Sequence, residues 1–249
     1  MLILLTNDDG VHSEGLLALR EIFAKTNDVC VIAPESERTC VGHAITLHKP
    51  LRIRKIADST YASNGSPADC IYLGIKAILK KKPDMIISGI NKGPNMGQDV
   101  NYSGTVAAAK EGAFLGIPSM AVSICARERF LFDDAAVITQ RIVDIIKNKA
   151  FIDGTFLNVN IPNLPHNRLN GFMVTKLGKR IYNDEVIERV DPRGNIYYWI
   201  GGNSEGYEEM RGTDFYAVEK GYISITPLGL DMTHTGSIKT YKTYFRRSL

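Results

Sequence analysis

Three stretches of this 249-residue chain carry residue types that can do chemistry together. The first, Thr6-Asn7-Asp8-Asp9-Gly10, sets two carboxylates side by side next to a flexible glycine. Adjacent carboxylates repel each other, and a hard divalent cation that takes oxygen ligands relieves the repulsion. A solvated turn or a helix cap uses the same residue types, so both readings stand at this point. The second stretch, residues 35–43, holds Arg38, Thr39 and Cys40. A threonine hydroxyl can ligate a metal and Arg38 could balance a substrate anion, although an ordinary polar loop has the same composition. Cys40 has no base near it in sequence and reads as a small apolar residue rather than a nucleophile. The third stretch runs Ser88-Gly89-Ile90-Asn91-Lys92-Gly93-Pro94-Asn95-Met96-Gly97 and continues through Tyr102-Ser103-Gly104-Thr105-Val106. Its glycines let the backbone turn tightly and approach a ligand, and Asn91 and Asn95 offer carboxamides. Ser103, Gly104 and Thr105 open a helix of small residues whose free amides suit an anion such as phosphate, the alternative being an ordinary capped helix after a glycine-rich loop.

These stretches gain meaning from the elements that must hold them. Continuous apolar runs of strand length, residues 2–6, 29–33, 85–88, 119–124 and 155–161, alternate with helical stripes. Leu16, Leu19, Ile22 and Phe23 form one stripe; Ile71, Ile75, Ile78 and Leu79 form another; residues 132–148 give a third helix. The second helix opens Ser66-Pro67-Ala68-Asp69, with a capping serine, a proline suited to the first helical position and an acid near the positive helix end. This alternation predicts an α/β fold with a doubly wound, mostly parallel, Rossmann-like sheet. In such a sheet ligands bind beyond the carboxyl ends of the strands, which is where all three stretches fall. After about residue 165 the texture changes to short alternating stretches near 171–177, 196–200 and 222–226, which read as hairpins rather than helices. The expected division is therefore a body of residues 1–165 carrying the site and a β-rich extension of residues 166–249 carrying oligomerisation arms. The closing stretch 239–247 interleaves Lys239, Lys242, Arg246 and Arg247 with Tyr241, Tyr244 and Phe245, and reads as a solvated basic tail.

Composition narrows the partners. A formal charge of +3 is too small for nucleic acid to be the main ligand. The four cysteines lie far apart with no C-x-x-C pair, which argues against a zinc knuckle or a secreted disulfide framework and fits a reducing cytosol. The apolar start is broken by Asn7, Asp8 and Asp9 before it could serve as a signal peptide, and no apolar run reaches the ~18 residues a membrane span needs. Neither a dinucleotide G-x-G-x-x-G nor a P-loop is found, and the five histidines show no paired metal-ligand spacing. A chain this long buries enough surface to fold without a metal, so any metal would be functional. An all-oxygen set with a phosphate cradle beside it points to Mg²⁺ or Mn²⁺ used for phosphoryl chemistry.

The same residues resemble the SurE survival proteins, a family of metal-dependent 5'-nucleotidases. Residues 6–12 resemble the family's opening, 88–97 its central loop and 102–112 its phosphate helix, and the likeness extends through Leu157-Asn158-Val159-Asn160-Ile161-Pro162, Asp191-Pro192-Arg193-Gly194 and residues 221–228, covering nearly the whole chain. The resemblance implies that Asp8, Asp9, Thr39 and Asn91 hold one divalent ion per subunit, with Asn95, Ser103, Gly104 and Thr105 around the phosphate. Serine is the family's usual residue at position 39, where this chain has Thr39 followed by Cys40. The implied protein is a cytoplasmic phosphatase acting on nucleoside 5'-monophosphates, with Asp8 and Asp9 catalytic. It would have no nucleic-acid or membrane partner and would form a homodimer or a dimer of dimers, since exposed hairpin edges need covering. Asp231 and His234 are weaker candidates for assisting the leaving group. Competing expectations are an exopolyphosphatase and a nucleotide-binding regulator without turnover.

Overall fold

The computed structural model describes residues 1–182, 185–201 and 204–246. In chain order the elements are β1 (Leu2–Thr6), α1 (Glu14–Phe23), β2 (Asp28–Pro34), β3 (Ile53–Ala57), β4 (Thr60–Ser63), α2 (Pro67–Leu73), β5 (Met85–Lys92), α3 (Gly104–Phe114), β6 (Ser119–Cys125), α4 (Phe132–Ile146) and β7 (Thr155–Pro162). A π-helical turn, Gly74–Leu79, continues α2. They are followed by β8 (Phe172–Val174), β9 (Arg180–Tyr182), β10 (Glu185–Val190), β11 (Ile196–Gly201), β12 (Ser204–Tyr207), α5 (Asp214–Glu219), β13 (Ile223–Gly229) and α6 (Thr235–Tyr244).

Nine strands form the main sheet in the order β3-β4-β2-β1-β5-β6-β7-β13-β8. The run β2-β1-β5-β6-β7 is parallel throughout, as the continuous apolar stretches predict. Both faces are covered. On one side Ile3 and Leu5 pack with Leu16, Leu19 and Phe23 of α1 and Ile142 of α4. On the other, Leu4 packs with Cys70 and Ile71 of α2 and Ala108 of α3. Successive residues of β1 thus feed opposite layers, the period-two geometry of a strand. The start of α2 is built as its sequence signals: Ser66 Oγ accepts the Asp69 N–H at 3.0 Å and an Asp69 carboxylate oxygen accepts the Ser66 N–H at 2.8 Å.

The strand order reverses direction between β1 and β5, and such a switch point opens a crevice at the carboxyl ends of the strands. The register pairs Thr6 with Ser88, so the loop that follows β1 leaves the sheet beside the middle of β5, which runs on to Lys92.

The C-terminal part differs from expectation. The sheet continues past residue 165, because β13 pairs antiparallel with β7 and parallel with β8. Two helices, α5 and α6, form where only hairpins were expected. The expected hairpin does appear as β10 and β11, paired from Glu185↔Gly201 to Val190↔Ile196 outside the main sheet. Strands β3 and β4 extend the sheet beyond β2, with β3 at the edge, and carry no continuous apolar run that would mark them in the sequence. In the basic closing stretch, residues 235–244 are helical and Arg247 lies outside the described residues.

Candidate active site

Asp8 lies just beyond β1 and is 5% exposed. One carboxylate oxygen accepts the Thr105 N–H at 3.1 Å and the other accepts the Thr105 hydroxyl, which joins the end of β1 to the first turn of α3. Burial pushes the Asp8 carboxyl up to about 6; the Thr105 hydroxyl pulls the other way, and the neighbouring Asp9 charge adds to the rise. The approach is close because residue 104 is a glycine. A Cβ there would meet Asp8 Cβ and Oδ2 at 2.9 Å.

Asp9 is only partly buried and accepts the Lys92 N–H at 3.2 Å. Burial raises its carboxyl as well, opposed by the Lys92 amide and charge and reinforced by Glu37. Asn91, beside Lys92, donates from Nδ2 to the Gly93 carbonyl at 2.9 Å, which leaves its carboxamide oxygen for another partner. Thr39 is exposed, and its hydroxyl donates to the Glu37 carboxylate. The loop carrying Thr39 is tied to the site by the Arg38 N–H, which donates to the Asp8 carbonyl at 2.7 Å. The Arg38 guanidinium donates to the Asn64 carbonyl at 3.1 Å, so in this structure it is engaged with the segment before α2. Glu37 has no signal of its own in the sequence; its charge on Asp9 and the hydroxyl it accepts from Thr39 give it relevance in the fold.

Asn95 is buried, and its main chain is gripped from β7. Asn160 Oδ1 accepts the Asn95 N–H at 2.9 Å, while Asn158 Nδ2 and Asn160 Nδ2 donate to the Asn95 carbonyl at 2.8 and 2.9 Å. Its own Nδ2 donates to Ser123 Oγ at 2.8 Å. Ser103 caps α3 by accepting the Val106 N–H at 3.1 Å. Asn158 and Asn160 sit in an apolar strand pattern, and the signal that could have flagged them was two asparagines at strand period within a buried run. Asp231 and His234 make no hydrogen bond to this cluster among the described residues. The neighbouring Met232 contacts Lys110, well past the first turn of α3, and Asp231 accepts the N–H of Thr233 within its own loop.

The residues at the edge of β1 and β5 fit a hard divalent ion. The paired carboxylates of Asp8 and Asp9, with neutral oxygens beside them, match the all-oxygen preference of Mg²⁺ and Mn²⁺. Thr6 Oγ1 and Asn7 Oδ1 at the end of β1, and Ser88 Oγ of β5 paired with Thr6, are buried with no hydrogen-bond partner among the described residues. Among the described residues Asp8 forms no salt bridge. A buried, desolvated carboxylate beside a second one is stabilised by a counter-charge.

Comparison with known proteins agrees over the whole chain. The family model described as Survival protein SurE matches residues 3–184. A 5'-nucleotidase SurE of Geobacter metallireducens is 46% identical over 245 residues, covering 98% of this chain and 97% of that protein. Its counterpart in Aquifex aeolicus is 46% identical over 241 residues, covering 96% of each. The crystal structure of the SurE protein from Aquifex aeolicus matches with a TM-score of 0.90 at 45% identity, over 98% of this chain and 99% of that one.

Proposed function

Because the chain belongs to the SurE family of survival proteins, we propose that it is a metal-dependent 5'-nucleotidase that hydrolyses nucleoside 5'-monophosphates to nucleoside and inorganic phosphate. The observation that carries this reading at the level of residues is the joining of Asp8 to Thr105, which brings a buried carboxylate, its neighbour Asp9 and the amide-rich start of α3 to one sheet edge.

Asp8, Asp9, Asn91 and Thr39 would hold one Mg²⁺ or Mn²⁺ per subunit. When bound, such an ion supplies Lewis-acid polarisation of a phosphate oxygen and a more acidic water. Asn95, Ser103 and Gly104 orient the phosphate and offer hydrogen bonds to its equatorial oxygens, while Thr105, which also stands at the start of α3, gives its donors to Asp8. Gly104 lets Asp8 approach the start of α3, since a Cβ there would meet the Asp8 side chain. The hydrogen bonds of Thr105 hold the Asp8 carboxylate in one orientation, which limits the reorganisation needed during phosphoryl transfer.

The substrate is a small nucleotide. Assembly into a homodimer or a dimer of dimers is supported by the β10–β11 hairpin, where Val186, Ile196, Trp199 and Ile200 are all exposed, an apolar area that monomers seldom leave bare. No helix of the described residues is long and apolar enough to cross a membrane. A cytoplasmic setting is favoured by the unpaired state of Cys30, Cys40, Cys70 and Cys125.

Phosphate release from AMP, GMP, CMP and a short polyphosphate, each with and without Mn²⁺, tests the reading. Metal-dependent release from the monophosphates is expected. Release from polyphosphate alone would replace the nucleotidase with an exopolyphosphatase, and no release from any of them would leave a binding protein. Light scattering should give a mass above that of one chain at micromolar concentration.

A further inference from the structure

We propose that Asp214, on α5, is a positioning residue that holds the 95–97 turn in its phosphate-binding conformation, so that the C-terminal part of the chain sets the geometry of the site. This rests on the reading of Asn95 as a phosphate contact.

Asp214 is fully buried, and its carboxylate is spent on backbone amides from two distant segments. One oxygen accepts the Gly97 N–H at 2.8 Å; the other accepts the Gly178 N–H at 2.8 Å and the Phe215 N–H at 2.9 Å. Gly97 stands 117 residues away in sequence. Hydrogen bonds to an ionised acceptor are stronger than neutral ones, and losing the acceptor would strand buried amides.

The packing is cut to this arrangement. A Cβ on Gly97 would meet the Gly178 carbonyl oxygen and the Phe215 ring, both at 2.9 Å, and a Cβ on Gly178 would meet the Phe215 ring at 2.5 Å and an Asp214 oxygen at 2.9 Å. Two glycines from separate segments are thus closed around the same two residues. The Arg180 guanidinium lies over the Phe215 ring at 5.1 Å and pairs with Asp99 at 2.7 Å, fastening the next stretch of the same loop.

Asn158, Asn160 and Ser123 fix only Asn95 itself, and all three come from the parallel strands. Gly97 lies two residues on. With its N–H released the turn would lose its tie between Asn95 and the Asp99–Arg180 pair, and a displacement on the order of 1 Å in a positioning element costs as much as 100-fold in rate.

The test compares the parent with Asp214→Asn and Asp214→Ala, with Thr175→Ala as a control. Thr175 bonds Ser224 and Thr226 in the same C-terminal part without touching the 95–97 turn. At a temperature where each variant is folded by circular dichroism, Asp214→Asn should lower kcat for AMP by about 10- to 100-fold and raise the inhibition constant for inorganic phosphate, and Asp214→Ala should do at least as much. Thr175→Ala should lower Tm while leaving kcat and the phosphate constant within about twofold of the parent. The proposal is overturned if folded Asp214→Asn matches the parent in both constants, or if Thr175→Ala reproduces the loss. If the parent itself releases no phosphate from AMP, the nucleotidase reading fails, and calorimetric binding of inorganic phosphate with Mn²⁺ to parent and Asp214→Asn decides the positioning role by itself. Should the Asp214 variants not fold, amide exchange in the parent decides: a Gly97 N–H exchanging at the rate of an unstructured peptide would sink the proposal.

Discussion

Asp8 and Thr105, 97 residues apart in sequence, are joined by two hydrogen bonds that use both oxygens of the carboxylate. The pair fastens the carboxyl end of β1 to the amino end of α3, so the paired acids and the amide-rich helix start become one site. It also sets a balance at Asp8, where burial favours the protonated acid and Thr105 favours the carboxylate.

Removing the Thr105 hydroxyl shifts that balance. Thr105→Val keeps the shape and deletes the donor, so the Asp8 carboxyl should rise further above 6. The acid limb of kcat/KM against pH should move upward, and stability should fall by about 1.5–3 kcal/mol, the usual range for a hydrogen bond to a charged group. An unchanged pH profile in a folded variant would show that Asp8 is not the group whose ionisation matters.

Asp8→Asn should stabilise the metal-free protein near neutral pH while removing its activity. A carboxyl whose folded value is about 6 against an ordinary 3.8 binds protons more readily folded than unfolded. Its contribution is therefore absent below about pH 4, becomes a penalty as pH rises through 4 to 6, and stays constant above that, at about 3 kcal/mol. Chelated parent and Asp8→Asn should have similar Tm at pH 4 and diverge by pH 7, with the asparagine variant higher. Equal Tm values at both pH values would contradict the raised carboxyl.

Gly104→Ala tests the close approach directly. The added methyl would stand 2.9 Å from two atoms of Asp8 and 3.1 Å from Pro67 Cγ. Alanine suits a helix better than glycine by about 1 kcal/mol, so a gain in stability is the outcome if the contact can relax. We expect the opposite, a lower Tm together with a loss of at least about tenfold in kcat/KM, because Asp8 must move away from α3.

Chelation should abolish turnover without changing the circular dichroism spectrum, since the cores on both faces of the sheet are apolar and complete without an ion. Position 39 refines this prediction. Thr39→Ser retains the hydroxyl and Thr39→Val deletes it, so the valine variant should need more Mn²⁺ for half-maximal rate while the serine variant stays near the parent. Identical titrations would remove Thr39 from the ligand set and turn attention to Glu37, which receives its hydroxyl.

The sequence by itself determined the parallel core and the edge of the sheet at which the chemically loaded stretches fall. Continuous apolar strands and helical stripes are local signals, written in windows of a few residues, and β1, β6, α1 and the capped start of α2 follow them closely. The three chemically loaded stretches were legible for the same reason, because each follows an apolar strand. Only the tertiary structure decided which atoms meet. Thr105 read as a phosphate contact, yet its hydroxyl and amide go to Asp8; Arg38 read as a counter-charge to substrate, yet it bonds Asn64. The return of β13 to pair with β7 and the reach of Asp214 to Gly97 were invisible in the chain. The physical reason is that a hydrogen bond across a hundred residues has no local sequence signature: it depends on where packing brings two segments, while periodicity records only which face of each segment is buried.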